Sequence, residues 1–167
     1  MASIKRIGVL TGGGDCPGLN AVIRAVTKAA MNEHKLEVYG VQDGFLGLIQ
    51  NRMHPLQWND VSNILTQGGT ILGTSNQANP QRFAIERGGR TEWCDVTDRV
   101  LDHVRANDLD ALVCIGGDGT MTGAANQNLT RWCMTRIPKG CPSSPMYLTI
   151  HASLSARRTL SASHRMS

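Results

Sequence analysis

The sequence predicts an α/β fold with a mostly parallel sheet and flanking helices. Short apolar segments that predict buried strands alternate along the chain with segments of helical periodicity. A glycine-rich turn joins a strand to a helix twice, at residues 12–14 and again at residues 116–119. Alternating strands and helices imply parallel strands with right-handed crossovers. The two turns should therefore lie at the carboxyl ends of parallel strands, where they can face one crevice.

Three segments between residues 7 and 41 begin this pattern. Residues 7–10 are a short apolar run that predicts a buried strand. Residues 19–31 predict an amphipathic helix. Its apolar side chains recur at helical spacing and are Leu19, Val22, Ile23, Val26 and Ala30. Residues 36–41 predict the next strand.

The middle of the chain predicts one more helix and one short strand. The helix begins at Asn59 or Asp60, either of which can accept hydrogen bonds as an N-cap residue. It ends at the glycine pair 68–69, because glycine is the residue most often found at the C-terminal end of a helix. Residues 70–72 are then a strand candidate that leads into a polar loop, residues 73–80.

The last clear elements surround the second glycine turn. Residues 97–106 predict a helix, residues 111–115 a buried strand, and residues 121–127 a final helix. A strand that runs into glycines at a helix start suits a phosphate, and Asp118 lies where a divalent cation could bridge it to phosphate oxygens. A tight strand-to-helix turn with a solvated carboxylate is the alternative.

The composition is that of one cytoplasmic domain. The chain has 167 residues, of which 41% are hydrophobic and 4% aromatic. It has no apolar run near the ~20 residues that span a bilayer and no signal-peptide pattern, so no membrane partner is expected. Its five cysteines include no CxxC pair, which favours thiols in a reducing compartment.

The net charge of +4 is unevenly distributed. Residues 1–118 hold 11 Lys and Arg against 13 Asp and Glu, a net charge of −2, whereas residues 119–167 hold six basic residues and no acidic one. A basic tail can bind nucleic acid. Its charges are scattered, however, and its only aromatic residues are Trp132 and Tyr147, so no nucleic-acid partner is expected.

Several common sites are missing from the sequence. A P-loop, GxxxxGK followed by Ser or Thr, is absent. The dinucleotide pattern GxGxxG fails at its third glycine, where the chain has Pro17. Asp15 and Pro17 suit a tight loop beside phosphate and metal better than a pyrophosphate packed on the helix. No Cys/His pair and no Ser/His/Asp order is evident.

Four motifs in the same order carry a family resemblance. They are residues 7–24, 42–48, 68–75 and 115–120. Together they resemble the N-terminal part of the 6-phosphofructokinase family, over residues 4–127. The GGDGT motif alone would not suffice, because NAD kinases and lipid kinases are similar there. The resemblance implies the Rossmann-like, donor-binding half of a phosphofructokinase.

The resemblance implies transfer of a phosphoryl group from ATP to the 1-hydroxyl of fructose 6-phosphate, with Mg²⁺, in glycolysis. The residues that would bind the donor are Gly13, Gly14, Phe45, Asn76, Gly117, Asp118, Gly119 and Thr120. Asp118 would also be the magnesium-linked residue. Glycine at position 119 favours ATP, because pyrophosphate enzymes of the family typically carry an Asp there that would crowd and repel ATP. Family members are homo-oligomeric.

Two features depart from the family pattern. Asn76 stands where many members have Arg, although some branches carry Asn. A TIDND-like stretch, whose first Asp is the family's base on the sugar hydroxyl, is absent, since no Asp or Glu follows Asp118. We therefore predict no catalytic residue and expect a truncated form with weak or no activity.

The resemblance divides the chain in two. Residues 1–127 are predicted to be the phosphofructokinase-like domain, and residues 128–167 a non-homologous, basic, serine-rich tail that is disordered or read out of frame. Other functions stay open. They are a non-catalytic nucleotide- or phosphate-binding fragment, a pyrophosphate-dependent phosphofructokinase, and a relative of NAD or lipid kinases.

Overall fold

A five-stranded sheet forms the centre of the fold in the computed structural model, which describes residues 4–125 and 150–151. The elements in chain order are β1 (Arg6–Thr11), α1 (Leu19–Glu33), β2 (Glu37–Val41), α2 (Phe45–Gln50), β3 (Met53–Pro55), β4 (Phe83–Arg87), β5 (Arg90–Cys94), α3 (Thr97–Ala106), β6 (Ala111–Gly116), α4 (Asp118–Ala124) and β7 (Ile150–His151). The sheet order is β3-β2-β1-β6-β7, and β4 and β5 form a separate antiparallel hairpin.

The sheet is mostly parallel, as predicted. Strand β1 pairs in parallel with β2 on one side and with β6 on the other, and β7 continues the parallel order beyond β6. Only β3 pairs antiparallel, along β2. The register sets Thr11 opposite Ile115, so the carboxyl ends of β1 and β6 lie side by side. Both glycine turns therefore start at the same edge of the sheet.

The core lies on both faces of the sheet, since successive strand side chains point to opposite faces. Ile7 and Val9 of β1 pack in one apolar cluster with α1, whereas Leu10 packs in a second cluster with α2 and α3. Strand β6 alternates in the same way, with Val113 in the first cluster and Leu112 in the second. This arrangement explains why these strands are near-continuous apolar runs in the sequence.

The strongest sequence signals gave the correct elements. The strands predicted at residues 7–10, 36–41 and 111–115 correspond to β1, β2 and β6. Helix α3 has the predicted bounds, and α1 extends two residues beyond its predicted end. No helix in the described part of the chain is long and apolar enough to cross a membrane.

The predicted helix from Asn59 or Asp60 is wrong. That segment is a series of turns, in which Asn63 has a left-handed φ of 63° that a helix does not allow. Val61 and Ile64 are buried in the apolar cluster on the α1 face of the sheet. Their spacing in the sequence resembles that of a helix because both are buried, although the backbone here is not helical.

The predicted strand at residues 70–72 is also wrong, because its backbone groups bond outside any sheet. The Ile71 N–H donates to the Asn20 side chain, and the Leu72 carbonyl accepts from the Asp43 N–H.

Other boundaries also differ from expectation. Helix α4 begins at Asp118 rather than at residue 121, and it ends at Ala124. Helix α2, strand β3 and the β4–β5 hairpin were not predicted. The tail predicted for residues 128–167 lies outside the described residues, except that the backbone of β7 pairs with Ile115 and Gly116 of β6.

Candidate donor-phosphate site

A cavity of about 270 Å³ opens at the edge of the sheet where β1 and β6 end. Its lining combines both glycine turns with the start of α1. The lining residues are Gly12, Gly13, Gly14, Asp15, Cys16, Leu19, Gly116, Gly117, Gly119 and Thr120. Six of these ten are glycines, so backbone forms most of its wall.

The first glycine turn continues the ladder of the sheet before it bends away. The Gly12 N–H donates to the Ile115 carbonyl at 2.9 Å, which ties the end of β1 to β6. Gly13 then has a φ of +87°, a conformation that side chains rarely adopt. The turn leads into α1, whose first residue, Leu19, lines the cavity. The N-terminal end of α1, which carries the positive end of the helix dipole, therefore lies beside this space.

The Thr120 side chain packs between the two glycine turns, against Gly12 and Gly116. A Cβ atom on Gly12 would stand 2.6 Å from the Thr120 Oγ1 atom, and one on Gly116 would collide with both Thr120 and the Gly12 carbonyl oxygen. The Thr120 side chain is 4% exposed. Glycine at positions 12 and 116 is thus required by the packing of the protein against itself.

Three other glycines face open space instead. A Cβ atom added to Gly14, Gly117 or Gly119 would have no atom of another described segment of the chain within 4 Å. None of the three has a positive φ, so backbone strain does not require glycine there. The missing side chains leave room beside the backbone of a lined cavity. This room is what a phosphate needs in order to approach peptide N–H groups.

The lining residues include no Lys or Arg, and the carboxylate among them is that of Asp15. Asp118 is exposed at the first residue of α4, next to the lining residues Gly117 and Gly119. Among the described residues, no group of three His, Cys, Asp or Glu side chains could hold a metal. Mg²⁺ is commonly held by one or two carboxylates together with substrate phosphates. These residues fit a cation that arrives with its phosphate ligand, rather than a resident metal centre.

Two clearly shifted pKa values in the described part of the chain belong to surface pairs outside the cavity lining. The pKa of Arg6 is raised, chiefly by its hydrogen bond to Glu37. The pKa of Lys28 is lowered by desolvation and by the nearby Arg24, and its ammonium lies 3.9 Å from the centre of the Trp58 ring.

The comparisons with known proteins agree with this geometry. The phosphofructokinase family model matches residues 6–142. The chain belongs to the phosphofructokinase family. The match passes the predicted boundary at residue 127, and the origin of the tail stays a prediction.

Relatives and solved structures point to the same family. The ATP-dependent 6-phosphofructokinase 2 of Clostridium perfringens is 48% identical over 140 residues, which cover 83% of this chain and 38% of that protein. The ATP-dependent 6-phosphofructokinase of Blochmanniella floridana is 46% identical over 121 residues, covering 72% of this chain and 34% of that protein. The crystal structure of Pichia pastoris phosphofructokinase in the T-state superposes with a TM-score of 0.60 at 38% identity, covering 74% of this chain and 12% of that one. The chain thus spans little more than a third of the length of these curated relatives.

Most of the donor residues predicted from the phosphofructokinase motifs lie together. Gly13, Gly14, Gly117, Gly119 and Thr120 all line the cavity.

Three of the predicted residues do not line it. Asp118 is exposed beside the cavity, and Asn76 is exposed in the loop that follows residues 73–75. Phe45 is 5% exposed and packs in the core, with its ring against Gly123. A nucleotide contact for Phe45 stays a prediction, and the structure gives its ring a core position.

The sequence analysis missed Asn20, which holds a loop beside the first glycine turn. Its side-chain amide donates to the Gln67 and Gly68 carbonyls at 3.2 and 3.3 Å and accepts from the Ile71 N–H at 2.7 Å. The signal for it was available, because Asn20 is a polar residue on the buried face of an amphipathic helix. Buried polar side chains usually have partners that they fix in place.

Thr11 and Thr74 were missed for a different reason. Thr11 follows an apolar strand and Thr74 lies in a polar loop, so neither stands out in the sequence. In the structure the Thr11 Oγ1 donates to the Gly73 carbonyl at 2.7 Å, and the Thr74 Oγ1 donates to the Gly13 carbonyl at 2.6 Å. The C-terminal end of the loop at residues 67–74 is thereby attached to the end of β1 and to the first glycine turn.

Proposed function

We propose that this chain carries the phosphoryl-donor site of an ATP-dependent 6-phosphofructokinase and binds the phosphates of ATP together with Mg²⁺. The observation that carries the proposal is the cavity between the ends of β1 and β6. Open space stands there beside the backbone of Gly14, Gly117 and Gly119. Peptide N–H groups and the start of α1 would stabilise the negative charge of the phosphates.

The residues that would hold Mg²⁺ are Asp15 in the lining and Asp118 at its edge. When bound, the ion neutralises phosphate charge that the lining residues, which include no Lys or Arg, leave uncompensated. Because the wall is backbone that the surrounding fold fixes, the donor would be positioned with little rearrangement.

The family reaction transfers the phosphoryl group to the 1-hydroxyl of fructose 6-phosphate in glycolysis. A carboxylate base must then accept the hydroxyl proton, within hydrogen-bond reach of it. Asp118 is the last acidic residue of the sequence, and the TIDND-like stretch is absent. We therefore propose donor binding with little or no turnover for these 167 residues.

Pyrophosphate is the second candidate donor. The described lining residues include no aromatic side chain to stack on an adenine base, and Leu19 is the one large apolar residue among them. A ligand made of phosphates alone would use the same glycine backbone. Glycine at position 119 still favours ATP, because the family's pyrophosphate enzymes typically carry Asp at that position.

The proposed setting follows from the family. The site would work in the cytoplasm with ATP and fructose 6-phosphate as its small-molecule partners, without a nucleic acid or a membrane. A homo-oligomer is the family's usual assembly.

Isothermal titration calorimetry of the full 167-residue chain tests donor binding. We expect saturable heat with Mg-ATP and at least tenfold weaker binding when EDTA removes the cation. Tighter binding of Mg-pyrophosphate than of Mg-ATP would favour the second candidate. The absence of heat with both ligands would refute the proposal.

A coupled assay for ADP, run with and without fructose 6-phosphate, tests turnover separately. We expect a rate indistinguishable from a blank in both cases. Sugar-dependent ADP production would show that a base is present after all.

A further inference from the structure

Thr74 contacts the first glycine turn from outside the cavity. Its Oγ1 atom donates to the Gly13 carbonyl oxygen at 2.6 Å, and the two residues are 61 positions apart in the chain. Thr74 is not among the lining residues, whereas Gly13 and Gly14 both are. The hydroxyl therefore holds one end of a peptide unit whose other end belongs to the cavity wall.

The peptide bond between Gly13 and Gly14 has two ends that point in opposite directions. In a trans peptide the carbonyl oxygen and the N–H of the next residue lie on opposite sides of the bond, and this protein has no cis peptide in its described part. A bond that draws the Gly13 carbonyl toward Thr74 also turns the Gly14 N–H away from Thr74.

This peptide needs an external constraint because glycines flank it. Glycine populates positive and negative φ about equally, so rotation of the unit meets little steric resistance. Gly13 already has a φ of +87°, and a Cβ on Gly14 would have no atom of another described segment within 4 Å. Without a bond to its carbonyl, the unit could present oxygen instead of N–H to a phosphate.

The segment that leads into Thr74 is held in place by a chain of hydrogen bonds. The Leu72 N–H donates to the Thr70 Oγ1 at 3.1 Å, and the Thr11 Oγ1 donates to the Gly73 carbonyl at 2.7 Å. Because Thr11 has already donated its proton, the 2.9 Å contact between the Thr70 and Thr11 hydroxyls has Thr70 as donor. Thr11 is fully buried, so this chain fixes the residue that precedes Thr74.

We propose that Thr74 is a positioning residue for phosphate binding, whose hydroxyl orients the Gly13–Gly14 peptide so that the Gly14 N–H faces the cavity. The inference rests on the proposed donor site and adds to it a residue that never touches the ligand. Without the hydroxyl, the Gly14 N–H is no longer directed toward the phosphate. The Gly13 carbonyl oxygen is then free to rotate toward the phosphate instead.

The test compares Thr74→Val, which removes the hydroxyl at nearly constant volume, with Thr74→Ser, which keeps it. Thr74→Ala is a second variant in case Val does not fold, and thermal melts check folding in each case. Ser62→Ala is the matched control, because Ser62 donates to the Trp58 carbonyl at 2.8 Å on an exposed turn away from the cavity. Each full-length protein is titrated with Mg-tripolyphosphate while ¹H–¹⁵N spectra follow the Gly13 and Gly14 amides.

We expect Thr74→Val to weaken binding at least about tenfold, the loss that follows from one hydrogen bond to a charged group. Thr74→Ser and Ser62→Ala should stay within about twofold of the parent chain. The ligand-free Gly14 amide signal should shift or split in Thr74→Val and not in Thr74→Ser.

Two results would overturn the inference. One is binding by Thr74→Val within twofold of the parent, even if its melting temperature falls, because that would be a structural role only. The other is equal loss in the Val and Ser variants. If the parent chain itself binds no Mg-tripolyphosphate, the proposed donor site fails instead. The ligand-free amide signals then decide the role of Thr74, and an unchanged Gly14 signal in Thr74→Val refutes it.

Discussion

Replacement of Gly119 by Ala should strengthen the fold and weaken donor binding at the same time. Gly119 is the second residue of α4, its φ is not positive, and an added Cβ would meet no atom of another described segment within 4 Å. Ala is more stable than Gly by about 0.5–1 kcal/mol in a helix interior, and this figure is the upper limit for a residue of the first turn. For a chain of this size, such a gain raises the melting temperature by about 1–4 °C.

The same methyl group would project from a residue that lines the cavity. A phosphate oxygen that accepts from a backbone N–H stands about 2.9 Å from the nitrogen, and a Cβ beside that nitrogen pushes the phosphate outward. Loss of one hydrogen bond to a charged group reduces the binding free energy by about 1.5–3 kcal/mol. The dissociation constant for Mg-ATP should therefore rise about 10- to 100-fold.

The assay pairs calorimetric titration with thermal melts, and Gly68→Ala is the matched control. Gly68 also has open space at its Cβ position and no positive φ, but it lies outside the cavity lining. It should bind Mg-ATP like the parent chain. Binding by Gly119→Ala within twofold of the parent would refute the reasoning, because the donor phosphates would not approach this residue. Equal weakening in Gly68→Ala would also refute it.

Three further substitutions test how the site is held. Asn20→Ala removes three side-chain hydrogen bonds, of which the 2.7 Å bond from Ile71 is the shortest, and should lower the free energy of unfolding by about 2–3 kcal/mol in urea titrations; an unchanged midpoint would contradict this. Thr27→Val removes a buried hydroxyl that has no hydrogen-bond partner among the described residues and should raise that free energy by about 1 kcal/mol, whereas Thr27→Ser should lower it. Gly44→Ala should lower it by more than about 3 kcal/mol, since Gly44 has a φ of +62° and a Cβ would stand 2.6 Å from the Thr11 carbonyl oxygen; a soluble variant with an unchanged melting temperature would refute that estimate.

The sequence predicted the centre of the fold because that part carries strong periodic signals. Strands β1 and β6 are buried on both faces and are therefore unbroken apolar runs. Helices α1 and α3 are long enough, at 15 and 10 residues, for apolar spacing to be distinctive. The six residues of α2 are too few for such a pattern.

The segment between residues 56 and 74 could not be predicted in the same way, because tertiary contacts determine it. Val61 and Ile64 follow helical spacing, yet they belong to a series of turns that places both side chains in the core. Leu65 beside them is exposed. The backbone of the following loop bonds to Asn20 and Thr11, which precede it by about 50 residues or more. Local propensity has no access to such partners.

The residues of the candidate site likewise fall into those visible as sequence motifs and those that only tertiary contacts bring to the site. The glycines that surround the cavity were visible as motifs, because a backbone that needs close approach must lack side chains. Thr74 and Asn20 act through backbone groups of other segments, and only the folded chain brings them there. Phe45 illustrates the opposite case, since a motif position suggested a ligand contact and the fold gave the ring a core position against Gly123.

The proposed donor site consists largely of backbone, and its residues differ from the base that phosphoryl transfer to the sugar requires. Among the described residues, those that line the cavity fall between Gly12 and Thr120, and the loop at residues 67–74 that holds the first turn falls in the same span. The proposed donor site is therefore formed, in the described part of the chain, at the sheet edge where β1 and β6 end. Proton transfer from a sugar hydroxyl needs a base, and no Asp or Glu follows Asp118. Affinity for Mg-ATP and phosphoryl transfer should consequently be independent in this chain, with the first measurable where the second is absent.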